Sequence, residues 1–189
     1  MTGLDIRTGR LLLRAATPGL LEADIRGREE LALFLGARVP PGWPPPLMDG
    51  DVRGDFLRMA ESPDGPLFLT WYWIRTGKGG AGDILVGSGG VVQSGDEPET
   101  VFLGYSVLDD YQNRGYATEA VAALIPVLFR LHGIRQIMAS TYPQMAPSIR
   151  VLEKCGFTRL DNVRSGSGAE EGTVVYAISH NTQNVNAGP

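Results

Sequence analysis

The chain has 189 residues, enough for one domain with a sizeable core and short for two. Its 43% hydrophobic and 20% charged residues are an ordinary globular balance that argues against wholesale disorder, and no apolar run approaches the roughly 18–20 residues that span a bilayer. Seventeen basic against 21 acidic residues leave a net charge of −4 and no basic stripe, so no nucleic-acid partner is expected and any polyanion must be held locally, by a few aimed donors.

Residues 1–14 are charged and lack the apolar core of a secretory leader, so a cytoplasmic location is expected. Residues 10–14 (RLLLR) predict a first strand, and residues 18–27 and 29–35 two short helices. Residues 39–47 carry five prolines, which fix φ and remove donors, so this stretch is neither helix nor central strand. Trp43 within it is expected to staple the loop to the body. A helix over 49–60 and a turn over 62–66 follow. Residues 67–75 (LFLTWYWIR) and 84–93 predict a hairpin across a glycine-rich turn, with a bulge or close backbone approach at Gly87, Gly89 and Gly90. Trp71 and Trp73 fall on one face of their strand, as core, and Tyr72 on the other. A strand over 101–108, a helix over 116–132, a strand over 135–141, a helix over 147–155, and strands over 157–163 and 173–179 complete the pattern. Residues 1–180 thus read as a single α+β domain, with a mixed, mostly antiparallel sheet flanked by helices, and 181–189 as a polar tail.

The informative segment is 101–131. After the strand and an acidic loop comes Gln112-Asn113-Arg114-Gly115-Tyr116-Ala117, leading directly into a helix whose apolar stripe runs through Ala117, Ala120, Val121, Leu124, Ile125, Leu128 and Leu131. The first N–H groups of a helix have no partner within it, and the dipole adds about half a positive charge there. Gly115 lets a ligand approach the backbone, and Ala117 keeps the next turn uncluttered. Such a corner cradles an anion with amides, which an acidic protein can use without a basic surface. Arg114 would add one charge-assisted contact.

Gln112, Gly115 and Ala117 match the pyrophosphate-binding motif of the GNAT N-acetyltransferases. The run GYATEAV (115–121) resembles the ribosomal-protein N-acetyltransferase branch, the RimJ/RimL-like proteins. Residues 148–157 (SIRVLEKCGF) resemble that branch's serine-led second helix, and 8–14 (TGRLLLR) its first strand, all in order along the chain. The resemblance implies acetyl transfer from acetyl-CoA to an amine acceptor, a protein N-terminus or a small molecule. It places the pyrophosphate on the amides of Gln112 and Arg114, Gly115, Tyr116, Ala117 and Thr118, with Asn113 in the same loop. The pantetheine lies along the exposed edge at Tyr105, Val107 and Asp109, and the Val107 amide faces the thioester oxygen as an oxyanion donor.

An alkyl amine is neutral only about once in 2,500 molecules at pH 7, so its proton must go somewhere. The branch commonly carries a Glu two residues before the Gly-Tyr of this strand, and here that place is Phe102. Glu99, with Glu97, would have to substitute through water, against the reading that their turn is simply solvated. Ser148 matches the donor to the departing thiolate. Met145 stands where the branch has Asn, Glu153 where many superfamily members have a tyrosine acid, and Tyr142 is a second candidate acid. Glu119 reads as a hydrogen-bonding residue rather than a base, and His132 as a helix end. The lone Cys155 forms no disulfide and reads as inert, and with only two histidines in the chain no metal is expected. Gly87-Ser88-Gly89-Gly90 lacks a third dinucleotide-binding glycine, and Gly77-Lys78-Gly79 lacks the Ser or Thr of a P-loop. The competing reading is a non-catalytic acyl-CoA-binding or regulatory module of the same fold.

Overall fold

The computed structural model describes residues 4–45, 48–62, 65–77, 82–131, 133–161 and 172–180. Lys78 and Gly79, His132, part of the turn at 62–66, residues 162–171 and the tail 181–189 lie outside them.

The chain runs β1 (Ile6–Arg7), β2 (Leu11–Ala15), α1 (Pro18–Arg26), α2 (Arg28–Leu35), α3 (Gly50–Glu61), β3 (Phe68–Arg75), β4 (Ile84–Gln93) and β5 (Thr100–Val107). A 3₁₀ turn (Asp109–Tyr111), α4 (Tyr116–Arg130), β6 (Gln136–Thr141), α5 (Ala146–Lys154), β7 (Thr158–Arg159) and β8 (Val174–Ser179) follow. Thr17 caps α1 by accepting the N–H of Leu20, and Asp49 caps α3 by accepting that of Val52. Gly36 closes α2 in the left-handed conformation. α4 passes through Pro126 without a break, because Pro126 and Ala122, whose carbonyl loses its helical partner, both face solvent. β1 is an edge strand too short to register as an alternating pattern. The strand expected over 157–163 is two residues long.

One sheet of order β1-β2-β3-β4-β5-β6-β8-β7 results, antiparallel except for β5 against β6. Its alternation divides the core. Leu11, Leu13, Trp71, Trp73, Val101 and Leu103 face α4 and α5, and Leu12, Tyr72, Ile74 and Leu85 face α1, α2 and Trp43. From α4, Ala120, Val121, Leu124 and Leu128 are fully buried; each of the larger three contributes about 1.5–3 kcal/mol.

The proline-rich loop is fastened by a buried carboxylate. Asp24, 1% exposed, accepts from Trp43 Nε1 at 2.8 Å and Tyr72 hydroxyl at 2.9 Å, with Arg53 Nη1 at 3.3 Å. Three donors from three segments compensate the cost of burying that charge. Burial, reinforced by the Asp24 carboxylate, pushes the Tyr72 hydroxyl far above its ordinary pKa.

β4 carries both features expected of its glycines. Trp73 pairs with Gly87 and Ile74 with Leu85, so Val86 is bulged. A Cβ at Gly90 would sit 2.3 Å from the Leu69 carbonyl oxygen and 2.7 Å from Thr70 Cα, and one at Gly89 2.6 Å from Trp73 Cζ2. Gly95, by contrast, has open space around it. Gly90→Ala is therefore expected to cost about 1–3 kcal/mol in urea denaturation, while Gly95→Ala stays within about 0.5 kcal/mol.

Candidate active site

β5 pairs with β6 only through residues 100–102 against 136–138; beyond that the strands part. Leu108 donates its N–H to Val86 O and Ser94 to Thr100 O, each at 2.9 Å, which fixes the phase of the ladder. Even-numbered residues of β5 turn their backbone groups to β4, and Leu103, Tyr105 and Val107 turn theirs to the gap. A cavity of about 380 Å³ lies along this edge, within the range of small-ligand sites. β5 lines it with Tyr105, Ser106 and Val107, and α5 and its approach with Met145, Pro147, Ser148, Arg150, Val151 and Lys154. Gln112, Asn113, Gly115, Tyr116, Ala117 and Thr118 close the remaining side.

The corner before α4 leaves a row of main-chain donors open. Asn113 (φ 58°) and Gly115 (φ 78°) take left-handed conformations that turn the chain into the helix, and no side chain caps it. The first helical bond is Glu119 N–H to Gly115 O at 3.0 Å, and the N–H groups of Asn113, Arg114, Gly115, Tyr116, Ala117 and Thr118 find no acceptor among the described residues. The Gln112 N–H differs from expectation: Asp109 O takes it at 3.2 Å, and the Gln112 side chain ties Val107 O to Asp109 Oδ1. Asn113 supplies the free amide instead. The Arg114 guanidinium turns away, donating to Asp110 O at 2.9 Å and lying over the Tyr111 ring.

A clamp from β2 fixes this corner. Arg10 Nε pairs with Glu119 Oε2 at 2.6 Å, Arg10 N–H and Thr8 Oγ1 donate to Glu119 Oε1, and Arg10 Nη1 donates to Arg114 O at 2.9 Å. The guanidinium also lies over the Tyr116 ring, 4.8 Å from its centroid. Burial pushes the Glu119 pKa up, but the hydrogen bonds from Thr8 and Arg10 outweigh it and hold the carboxyl below its ordinary value. The motif at 8–14 and the run at 115–121 thus touch, a contact that sequence spacing does not reveal.

At the other end, the Tyr105 hydroxyl donates to Ser148 O at 3.3 Å and lies 3.2 Å from Ser148 Oγ. Its ring stacks on Trp73, with centroids 6.2 Å apart, in the space left by Gly89. Burial pushes the Tyr105 pKa up to about 12, so the phenol keeps its proton at neutral pH. Sequence reasoning placed the Tyr105 backbone at the edge and missed its hydroxyl.

Other expected groups stand apart. Glu99 is outside the cavity, at the far end of β5, where its carbonyl accepts the N–H of Arg135 and Gln136. Phe102 packs on the opposite face with Met138 and Val175, and Glu153 and Tyr142 do not line the cavity. Trp43, Trp71 and Trp73 are core residues. Burial raises the Cys155 pKa, so its half-buried thiol is not a nucleophilic thiolate. Among the described residues no three His, Cys, Asp or Glu gather to hold a metal, and no helix is long and apolar enough to cross a membrane.

A family model of an acetyltransferase (GNAT) domain matches residues 10–158. An uncharacterized N-acetyltransferase of Bacillus subtilis (strain 168), YnaD, is 37% identical over 60 residues, 32% of this chain and only 35% of its own length. A Vibrio cholerae structure, provisionally assigned as a ribosomal-protein-serine acetyltransferase, superposes with TM-score 0.60 at 19% identity, covering 94% of this chain and 98% of that one. The microcin C7 self-immunity acetyltransferase MccE, solved with acetyl-CoA and AMP, does so with TM-score 0.58 at 15% identity, covering 92% and 94%. At these identities the structural likeness is one of fold.

The Arg10–Glu119 pair is half exposed on the arginine side, so screening limits its contribution to stability to about 1 kcal/mol or less. It also ties the loop carbonyl of Arg114 to β2 through Arg10 Nη1. Arg10→Gln is expected to weaken acetyl-CoA binding about tenfold by calorimetry while moving the stability by less than about 1 kcal/mol.

Proposed function

Because the chain belongs to the GNAT acetyltransferase family, whose acyl donor is acetyl-CoA, we propose that it transfers the acetyl group directly to a primary amine within a ternary complex. The observation that carries this reading is the row of unpartnered N–H groups from Asn113 to Thr118, set beside the free edge of β5. Acetyl-CoA supplies an activated acetyl thioester. The amides of 113–118 hold its diphosphate, and Tyr105 and Val107 offer backbone groups to the pantetheine arm. The Val107 N–H stabilises the charge that develops on the carbonyl oxygen.

Ser148 Oγ–H donates a hydrogen bond to the departing sulfur, and the proton that the attacking nitrogen sheds as the amide forms leaves with the thiol. A thiolate of pKa around 8.5 needs only modest help, within the reach of a positioned hydroxyl. Tyr105 supports that donation. When its proton rests on Ser148 O, the serine hydroxyl points at the phenol oxygen; when it turns to Ser148 Oγ, the serine hydrogen is released to the cavity. The phenol, with its raised pKa, remains a donor throughout.

No carboxylate or imidazole is among the described residues that line the cavity. This favours an acceptor that loses its proton without a protein base. A peptide α-amine, with pKa about 7.7–8.0, is roughly one-tenth neutral at pH 7, hundreds of times more than an alkyl amine. We therefore assign a protein or peptide N-terminus as the acceptor, in line with the resemblance to the ribosomal-protein branch.

Two measurements test the scheme. With a peptide acceptor, kcat/KM is expected to rise about tenfold per pH unit until the α-amine's own pKa near 8, with no earlier plateau. A plateau below pH 7 with every acceptor would reveal a protein base and contradict the assignment. Ser148→Ala should lower kcat about 10–100-fold with little change in KM for acetyl-CoA. Tight binding of acetyl-CoA with no turnover of any amine would favour the non-catalytic reading instead.

A further inference from the structure

Ser106 differs from Tyr105 and Val107, its neighbours in the cavity lining, by the face of the sheet on which its side chain stands. It pairs with Ser88, and Ser88 pairs with Tyr72. Directly opposed residues share a face, so the three stand on the side of α1, α2 and Trp43, away from α4 and α5. Among the described residues β6 pairs with β5 no further than Phe102, and the cavity meets this far face at Ser106.

The two serines are used differently. Ser88, 4% exposed, donates its hydroxyl to Met48 Sδ at 2.9 Å, which closes the face there. The Ser106 hydroxyl has no partner among the described residues. Two residues back along β5, Gly104 is exposed, and a Cβ there would meet nothing within 4 Å. Next on the same face comes Phe102, half-buried against Met138 and Val175. An open trough therefore runs from a free hydroxyl, over bare backbone, to an aromatic ring. Neither β4 (ILVGSGGVVQ) nor β5 (TVFLGYSV) carries a charged side chain.

The donor says what fills the trough. Acetyl-CoA, held as described above, occupies the α4 and α5 side with its thioester at Val107, which leaves the far face to the amine. The side chain nearest to Val107 on that face is Ser106. A serine hydroxyl is too weak a base to take the amine's proton, but its oxygen accepts an N–H and so turns the nitrogen lone pair toward the thioester.

Resting on the peptide reading above, we infer that Ser106 orients the attacking α-amine and that the trough over Gly104 takes the acceptor's first side chain, selecting an apolar one. Phe102 offers that side chain an apolar wall. A charged first residue would lose hydration there and find no partner on β4 or β5.

Steady-state kinetics with peptides that differ only in their first residue (Leu, Asp or Lys) test the inference at pH 9, where every α-amine is mostly neutral. The wild type is expected to acetylate the Leu peptide with kcat/KM about 10–100-fold above the other two. Gly104→Leu places its side chain in open space. It should raise KM for the Leu peptide about tenfold or more and reduce the preference to within about twofold, with acetyl-CoA affinity unchanged by calorimetry. Ser106→Ala should lower kcat about tenfold, and Ser106→Thr, which keeps the hydroxyl, should restore it. Equal rates with the three peptides overturn the inference and leave the peptide reading intact. So does a Gly104→Leu enzyme with unchanged KM and preference, a Ser106→Ala enzyme at full kcat, or a variant that loses acetyl-CoA affinity along with turnover. Turnover of none of the peptides by the wild type overturns the peptide reading as well.

Discussion

The structure depends on a row of peptide N–H groups, at the mouth of one helix, left without partners by the protein. α4 begins at Gly115 with no side-chain cap, after a loop with left-handed turns at Asn113 and Gly115. Unpaired donors cost free energy in any interior, so they persist where a ligand or water satisfies them. Neutral amides spare an acidic chain a basic surface that would attract every polyanion. That economy depends on position, because an amide cannot reach as a lysine can.

Position is supplied from both sides. On one, Arg10 and Thr8 hold Glu119 and the Arg114 carbonyl, so the first strand fixes the loop proposed to hold the diphosphate. On the other, β5 leaves β6 after Phe102 and offers the backbone groups of Leu103, Tyr105 and Val107 to the gap. The glycines of β4 connect this edge to the core. Without a side chain at Gly89, Trp73 reaches Tyr105 and settles the ring whose hydroxyl meets Ser148. The remaining face of the sheet is closed by α1, α2 and the proline-rich loop, gathered on the buried carboxylate of Asp24.

Much of this was legible in the residues because its signals are local. The apolar stripe of α4, the proline-rich loop and the Gln112–Ala117 corner each declare themselves within a few positions. So did the close approaches at Gly89 and Gly90, since glycines amid β-branched and aromatic neighbours signal contact. What escaped were pairings between distant segments. Arg10 meets Glu119 across 109 positions, and Tyr105 meets Ser148 across 43. Neither leaves a periodic trace. Asp24 could have been noticed, since it falls three and four residues after Leu21 and Leu20 on the buried face of α1. The amide of Gln112 was misassigned because the 3₁₀ turn that consumes it spans only Asp109–Tyr111.

The most direct test of the backbone cradle is a titration of ¹⁵N-labelled protein with coenzyme A, followed amide by amide. Resonances from Asn113 through Thr118 should move farthest, their protons downfield, and saturate together with the binding isotherm. If coenzyme A saturates the protein while those six amides stay where they were, main-chain capture of the diphosphate is wrong.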